Sequence, residues 1–329
     1  MQGAVPPGPR IACFSPPSAV KHFSDRLAAL VEERRSQVVL GLDPDPAALW
    51  PVAWEGPAPP ANGAEAAEIV ARAVQAHCGA AIEAAGPACV AVKLQLACFE
   101  RLGAAGWTAL AAVRDRASAA GLMVIADGKR GDVPVTARAY AQALVGATPT
   151  PLGDVAGFAA DAFTANPLLG RDSLEPLVDA AATAGAACFV LVSTSNPGAA
   201  DFQDLDAGGA PLHERMAGLV DSLGTVHVGE CGLSLVGAVA GATRPERLGR
   251  LRELMPRAIF LMPGVGAQGG SADALAPAFA PHPAAGLLTA SRSIVHAHTE
   301  RGGDPASAAV DAAQELRALA WKSSLEQRG

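Results

Sequence analysis

The segment Asp127-Gly128-Lys129-Arg130-Gly131-Asp132 sets an ammonium group between two carboxylates in a chain that otherwise avoids lysine: of its 25 basic residues only Lys21, Lys93, Lys129 and Lys322 are lysines. A guanidinium stays protonated under all ordinary conditions, whereas an ammonium can release its proton. A lysine retained here suits proton delivery. Lys93 and Gln95 lie two apart in the apolar run 89–95, and Asp127 and Lys129 two apart in the run 122–129. On a strand, residues two apart face the same way, so each pair points into one space. With Asp43 at the end of the run 38–43, these groups form a set in which every charge has a counter-charge and the ammonium groups are held in place. Asp132 fits two roles, a site residue or the cap of a helix starting near Val133-Pro134. Any one charged residue at a strand end is equally the start of a solvated loop. Compatible polar groups at several strand ends are harder to dismiss together.

A second group of residues suits an anion. The stretch PGVGAQGG (263–270) carries four glycines around Gln268, and Arg292 follows the last apolar run. Glycine-rich turns present backbone N–H groups to phosphate, and a guanidinium grips its oxygens in two places. Ser195, after the fifth run, completes the polar positions.

Positioning all of these requires strands that end at one place. The apolar runs fall at 38–43, 89–95, 122–129, 161–166, 188–194, 233–241, 258–264 and 286–291. Helical patterns lie between them at about 64–85, 99–120, 133–146, 172–184, 210–223, 245–255 and 271–280, and another follows at 304–324. Continuous apolar strands separated by helices mean a parallel sheet buried on both faces. Eight such units in 329 residues predict a single-domain α/β fold, a (β/α)8 TIM barrel, with the site at the C-terminal ends of its strands. The barrel is expected over 22–329, after a flexible tail at 1–21. An amphipathic helix at 22–36 should open it, capped by Ser24 or Asp25. The Pro/Trp-rich stretch 50–63 reads as a long loop.

Composition narrows the function classes. A net charge of −7, no basic block and only 4% aromatic residues leave no surface for nucleic acid. The apolar runs are too short to span a bilayer, and the N-terminus lacks a signal-peptide core, so a cytoplasmic protein without membrane association is expected. Six cysteines without a CxxC pair read as free thiols, mostly buried. His296-Ala-His298 has no further ligand at metal-binding spacing, so no metal site is expected.

The pattern D-x-K-x-x-D, here Asp127, Lys129 and Asp132 followed by Thr136, resembles that of the orotidine 5'-phosphate decarboxylases, in particular their longer bacterial branch. GLDPDP (41–46), VKLQLACFE (92–100), DAFTANPLLGRDSLEPL (161–177), TSNPGA (194–199), PGVGAQGG and SRSI (291–294) extend the resemblance from about Phe23 to the last helix. It implies loss of CO2 from C6 of orotidine 5'-monophosphate to give uridine 5'-monophosphate, a step of pyrimidine biosynthesis, without metal or organic cofactor. By the same resemblance Lys129 protonates C6, and Asp127 stands against the departing carboxylate. Lys93 and Asp43 complete the array and hold ribose hydroxyls, with Gln95 nearby. Ser195 touches the pyrimidine, and Gln268 and Arg292 grip the phosphate, whose binding closes the 264–270 loop. Asp132 and Thr136 reach the site of a second subunit, implying a homodimer. Three features depart from the pattern: the long N-terminal tail and 50–63 loop, Pro134-Val135 in place of small polar residues, and Asn166, whose role is open between fixing a loop and touching substrate. A related reading is a metal-dependent barrel acting on a sugar phosphate, against which Lys93 stands as a cation where the metal would bind.

Overall fold

The computed structural model describes residues 21–55, 60–264 and 275–325. Strands β1 (Val38–Leu42), β2 (Ala91–Gln95), β3 (Met123–Arg130), β4 (Ala162–Ala165), β5 (Ala187–Ser193), β6 (Val236–Ala240), β7 (Phe260–Pro263) and β8 (Gly286–Ala290) match the eight apolar runs in order. Each pairs in parallel with its neighbours in sequence, and β8 pairs with β1, so the sheet closes into a barrel. Every residue of β1, β6 and β8 is buried, as required of strands with a packed barrel interior on one face and helices on the other. The expected (β/α)8 architecture is the observed one.

The helix Phe23–Arg34 lies across the N-terminal end of the barrel. Ser24 Oγ donates to Leu233 O (2.9 Å), Arg26 donates to Asp161 Oδ1 (2.6 Å) and to Gly185 O (3.0 Å), and Phe23 meets Phe189 edge-on. This corrects the expected cap. His22 is the N-cap, its ring nitrogen accepting from Ser24 N, while Asp25 accepts from Cys231 N (2.8 Å). Both expected caps are drawn into contacts about two hundred residues away in the chain, which local pattern cannot register.

Other boundaries differ for identifiable reasons. The helix expected over 99–120 is two, Leu96–Glu100 and Gly103–Ala119, separated where Gly103 takes φ +63°. The two pieces cross so tightly that a Cβ on Gly106 would stand 1.9 Å from Phe99 O. A small antiparallel hairpin, Ala147–Thr148 with Val155–Ala156, interrupts the β3-to-β4 connection. Of the helix expected over 271–280, the described part is a 3-10 turn, Ala276–Phe279. Beside it, buried Arg252 donates to the carbonyls of Met255, Ala258, Ala278 and Ala285 and stacks on Phe260 at 3.8 Å. Burial without a carboxylate pushes this guanidinium down to about 9, and the four carbonyls supply the negative ends of its bonds.

The 50–63 loop is partly structured. It turns once in 3-10 form, at Pro51–Trp54, just after a similar turn at Pro46–Ala48, and buries Trp50. Trp50 Nε1 donates to Val295 O (2.8 Å) and Trp50 N donates to His77 Nδ1 (3.1 Å). Burial lowers the His77 pKa to about 4, so at neutral pH the ring is uncharged and able to accept that bond. The tail 1–20, residues 56–59 of the loop and Gln268 lie outside the described residues. Of the five described cysteines, all unpaired, Cys78, Cys89 and Cys188 are buried while Cys98 and Cys231 are half-buried.

Candidate active site

Register brings the charged residues to one end of the barrel. Lys93 and Gln95 lie two apart on β2 and Gln95 lies beside Asp127 of β3, so these three side chains share the interior face, while Gly41 of β1 lies beside Lys93 with Asp43 two residues further on. There the ammonium of Lys93 stands 2.6 Å from Asp127 Oδ2 and 3.6 Å from Asp43 Oδ1. Lys129 Nζ donates to the other Asp127 oxygen at 2.7 Å. The expected array of Asp43, Lys93, Asp127 and Lys129 is thus assembled as one network.

Its members differ in exposure, and the difference separates their roles. The side chains of Lys93 and Asp127 are 9% and 6% exposed, whereas that of Lys129 is 42% exposed. Burial alone would raise the Asp127 pKa, but the charges of Lys93 and Lys129 overcome it and hold the carboxyl at about 2. Burial would likewise lower Lys93, and Asp127 with Asp43 raise it instead. Both therefore stay ionised at neutral pH, and Lys129 is the cation turned toward the opening.

The opening leads to a cavity of about 440 Å³, within the range of small-molecule sites. Its walls divide by strand. Lys93, Gln95, Asp127, Lys129 and Thr164 from β2 to β4 make a polar side, while Leu191, Val239, Leu261 and Pro263 from β5 to β7 make an apolar one. A flat, partly apolar ring with a charged edge suits such a space, its faces against the aliphatic wall and its ionised substituent toward the array.

Across this region the family model described as "Orotidine 5'-phosphate decarboxylase / HUMPS family" matches residues 36–309. The chain belongs to that family. It is 41% identical over 276 residues to the orotidine 5'-phosphate decarboxylase of Rhodopirellula baltica, covering 84% of this chain and 89% of that protein. With the enzyme of the same name from Haloarcula marismortui it shares 38% identity over 310 residues, covering 93% and 98% of the two chains. The structure of a putative orotidine 5'-phosphate decarboxylase from Streptomyces avermitilis, 28% identical, superposes with a TM-score of 0.73 over 95% of this chain and 99% of that one.

The remaining expected residues fall in different places. Gln95 and Ser195 line the cavity. Arg292 begins a short helix directly beyond β8, yet its side chain is exposed and lines a neighbouring groove with His296, Arg301 and Glu315. Asp132 and Thr136 stand outside the cavity. Asp132 Oδ1 accepts from Val133 N, and the helix Pro134–Leu144 has no side-chain cap, so Asp132 is not its N-cap. Asn166 fixes a loop: its Oδ1 accepts from Leu168 N and its N–H bonds to Arg130 O.

Sequence reasoning passes over five polar residues that line the cavity: Thr164, Thr194, Asn196, Gln203 and Thr289. The Gln203 amide accepts from Thr194 N and donates to Thr194 Oγ1, clasping the turn that carries Ser195. The signal for Thr164 was present, a single hydroxyl interrupting the apolar strand Ala162–Ala165. Gln203 gave none, because it lies on a four-residue helix beyond the strand-end motif. Among the described residues no group of three or more His, Cys, Asp or Glu side chains is placed to hold a metal ion, and no helix is long and apolar enough to cross a membrane.

Proposed function

We propose that this protein is an orotidine 5'-phosphate decarboxylase, converting orotidine 5'-monophosphate to uridine 5'-monophosphate and CO2. The observation that carries the reading is the buried Asp127 carboxylate held between two ammonium groups at the edge of an apolar slot. With the pyrimidine against Leu191, Val239 and Leu261, the C6 carboxylate faces Asp127. Two anions brought together disfavour the bound substrate relative to the transition state, in which that charge leaves as CO2. The C6–carboxylate bond breaks, its electron pair stays on C6 beside the Lys129 ammonium, and Lys129 delivers the proton that completes the product. Lys93 and Asp43 hold ribose hydroxyls, Gln95 lies alongside, and Ser195 meets the pyrimidine from the opposite rim.

The direct test follows the orotate chromophore in ultraviolet absorbance with purified protein in excess chelator. Rapid loss of absorbance supports the reading; an unchanged spectrum at enzyme concentrations in the micromolar range sinks it. The alternative within the family, a metal-dependent reaction on a sugar phosphate, would need a divalent cation among these carboxylates. The Lys93 ammonium already occupies the space between Asp43 and Asp127.

The phosphate falls to Arg292 and Gln268. Arg292 points away from the cavity in the described conformation and reaches the ligand by rotating its side chain over the β8 end. Phosphate binding then drives closure around the charged array, so remote binding energy is used at C6. Arg292→Ala is expected to lower kcat/KM by roughly 10²- to 10⁴-fold with the array unaltered; a value near wild type would remove Arg292 from the phosphate grip.

A second copy of the chain completes the site through Asp132 and Thr136. Thr136 is exposed and Asp132 half-buried, and the adjoining Val133 and Val135 are exposed apolar residues suited to burial. Mixing two inactive variants, Lys129→Ala and Asp132→Ala, then restores activity, because each hybrid dimer holds one intact site. Absence of restoration after subunit exchange would argue that each chain works alone.

A further inference from the structure

Lys129 is held in an unusual way. Its backbone is left-handed, at φ +48°, where a residue with a Cβ is strained. At the same point the pairing of β3 with β4 slips between Ala126 and Arg130, which disrupts the backbone ladder around Lys129. The Thr164 side chain stands in for the ladder, since its Oγ1 accepts from Lys129 N at 2.8 Å. The hydroxyl proton is then free to point elsewhere, and it goes to Asp127 Oδ1, also at 2.8 Å. That oxygen in turn accepts from Lys129 Nζ. Main chain and side chain of the same lysine are therefore closed into one ring through Thr164 and Asp127. Thr164 is 1% exposed, so its two bonds are made in a largely desolvated setting where losing a partner is costly.

We propose that Thr164 is a positioning residue: its hydroxyl keeps Lys129 in the left-handed conformation and so aims the ammonium at the reacting carbon. The geometric claim is independent of the chemistry, and its kinetic consequence rests on the decarboxylase reading above. Without the hydroxyl, the Lys129 N–H loses its acceptor inside the protein, the strain at φ +48° is no longer opposed, and the ammonium drifts from its bound geometry. Substrate affinity, which comes largely from the phosphate and pyrimidine, is untouched.

Thr164→Val keeps the β-branched shape and deletes only the hydroxyl; Thr164→Ser keeps the hydroxyl and deletes a methyl group. Valine is expected to lower kcat by roughly 30- to 100-fold with KM within about twofold, and serine to restore most of kcat. Hydrogen exchange at the Lys129 amide is read on the same proteins, and it quickens in the valine variant alone. A valine variant with kcat within about threefold of wild type and unchanged exchange at Lys129 overturns the proposal. So does a serine variant as impaired as valine, because the methyl group rather than the hydroxyl would then be at work. Should the wild type fail to decarboxylate, the functional reading falls, and exchange at Lys129 still decides whether Thr164 holds that backbone.

Discussion

Replacing Lys129 by alanine is expected to reduce kcat for decarboxylation by roughly 10⁴-fold or more, with a smaller change in KM. On the proposed mechanism two contributions disappear together, the proton for C6 and the positive charge beside the developing carbanion. The fold should survive, because the Lys129 side chain is half-exposed and Asp127 keeps its bonds to Lys93 and Thr164. Lys129→Arg separates the two contributions. A guanidinium retains the charge but does not release its proton, so the arginine variant should remain nearly as inactive as alanine. Loss of orotate absorbance under saturating substrate measures both. If alanine retained more than about a tenth of the wild-type kcat, Lys129 would not be the proton donor.

Asp127→Asn is the second large effect, and it strikes stability as well as rate. Asp127 accepts from Lys93, Lys129 and Thr164, and Lys93 is buried. Neutralising the carboxylate leaves Lys93 with Asp43 alone, 3.6 Å away and more exposed. Breaking a buried pair by removing one partner costs roughly 3–5 kcal/mol, and the remaining Asp43 puts this case near the lower end, about 3 kcal/mol. The rate should fall by about 10³-fold, because the repulsion against the substrate carboxylate and the anchor for Lys129 go together. The pH dependence has a definite sign. The Asp127 pKa is depressed from 3.8 to about 2 in the fold, so its stabilisation is complete above the unfolded value and lost as pH falls through that window. Urea unfolding between pH 5 and pH 2 should show wild type losing its advantage over the asparagine variant toward the acid end. A constant difference across that range would mean that the Asp127 carboxyl is not held low by its lysines.

The sequence by itself determined the barrel and the identity of its charged edge. Continuous apolar runs such as 38–43 and 286–291 leave no polar face, which forces strands buried on both sides. The two-residue spacing of Asp127 and Lys129, and of Lys93 and Gln95, is a local property of strands and so was readable without the fold. What only the tertiary structure decided depends on partners distant in the chain. Thr164 bonds Asp127 across 37 residues, and Ser24 leaves its capping role for a carbonyl 209 residues away. The left-handed turn at Lys129 falls where the pairing of β3 with β4 slips, and no residue type at that position announces it. Trp50 belongs to a stretch that reads as loop, yet it is buried because His77 and Val295 offer it hydrogen bonds there. Arg292 was legible as a residue beyond β8, but its direction was not: a long side chain at a strand end can serve either the cavity or the groove beside it. Periodicity encodes which face is apolar; hydrogen-bond partners and side-chain direction are encoded in the packing of elements that periodicity does not relate to one another.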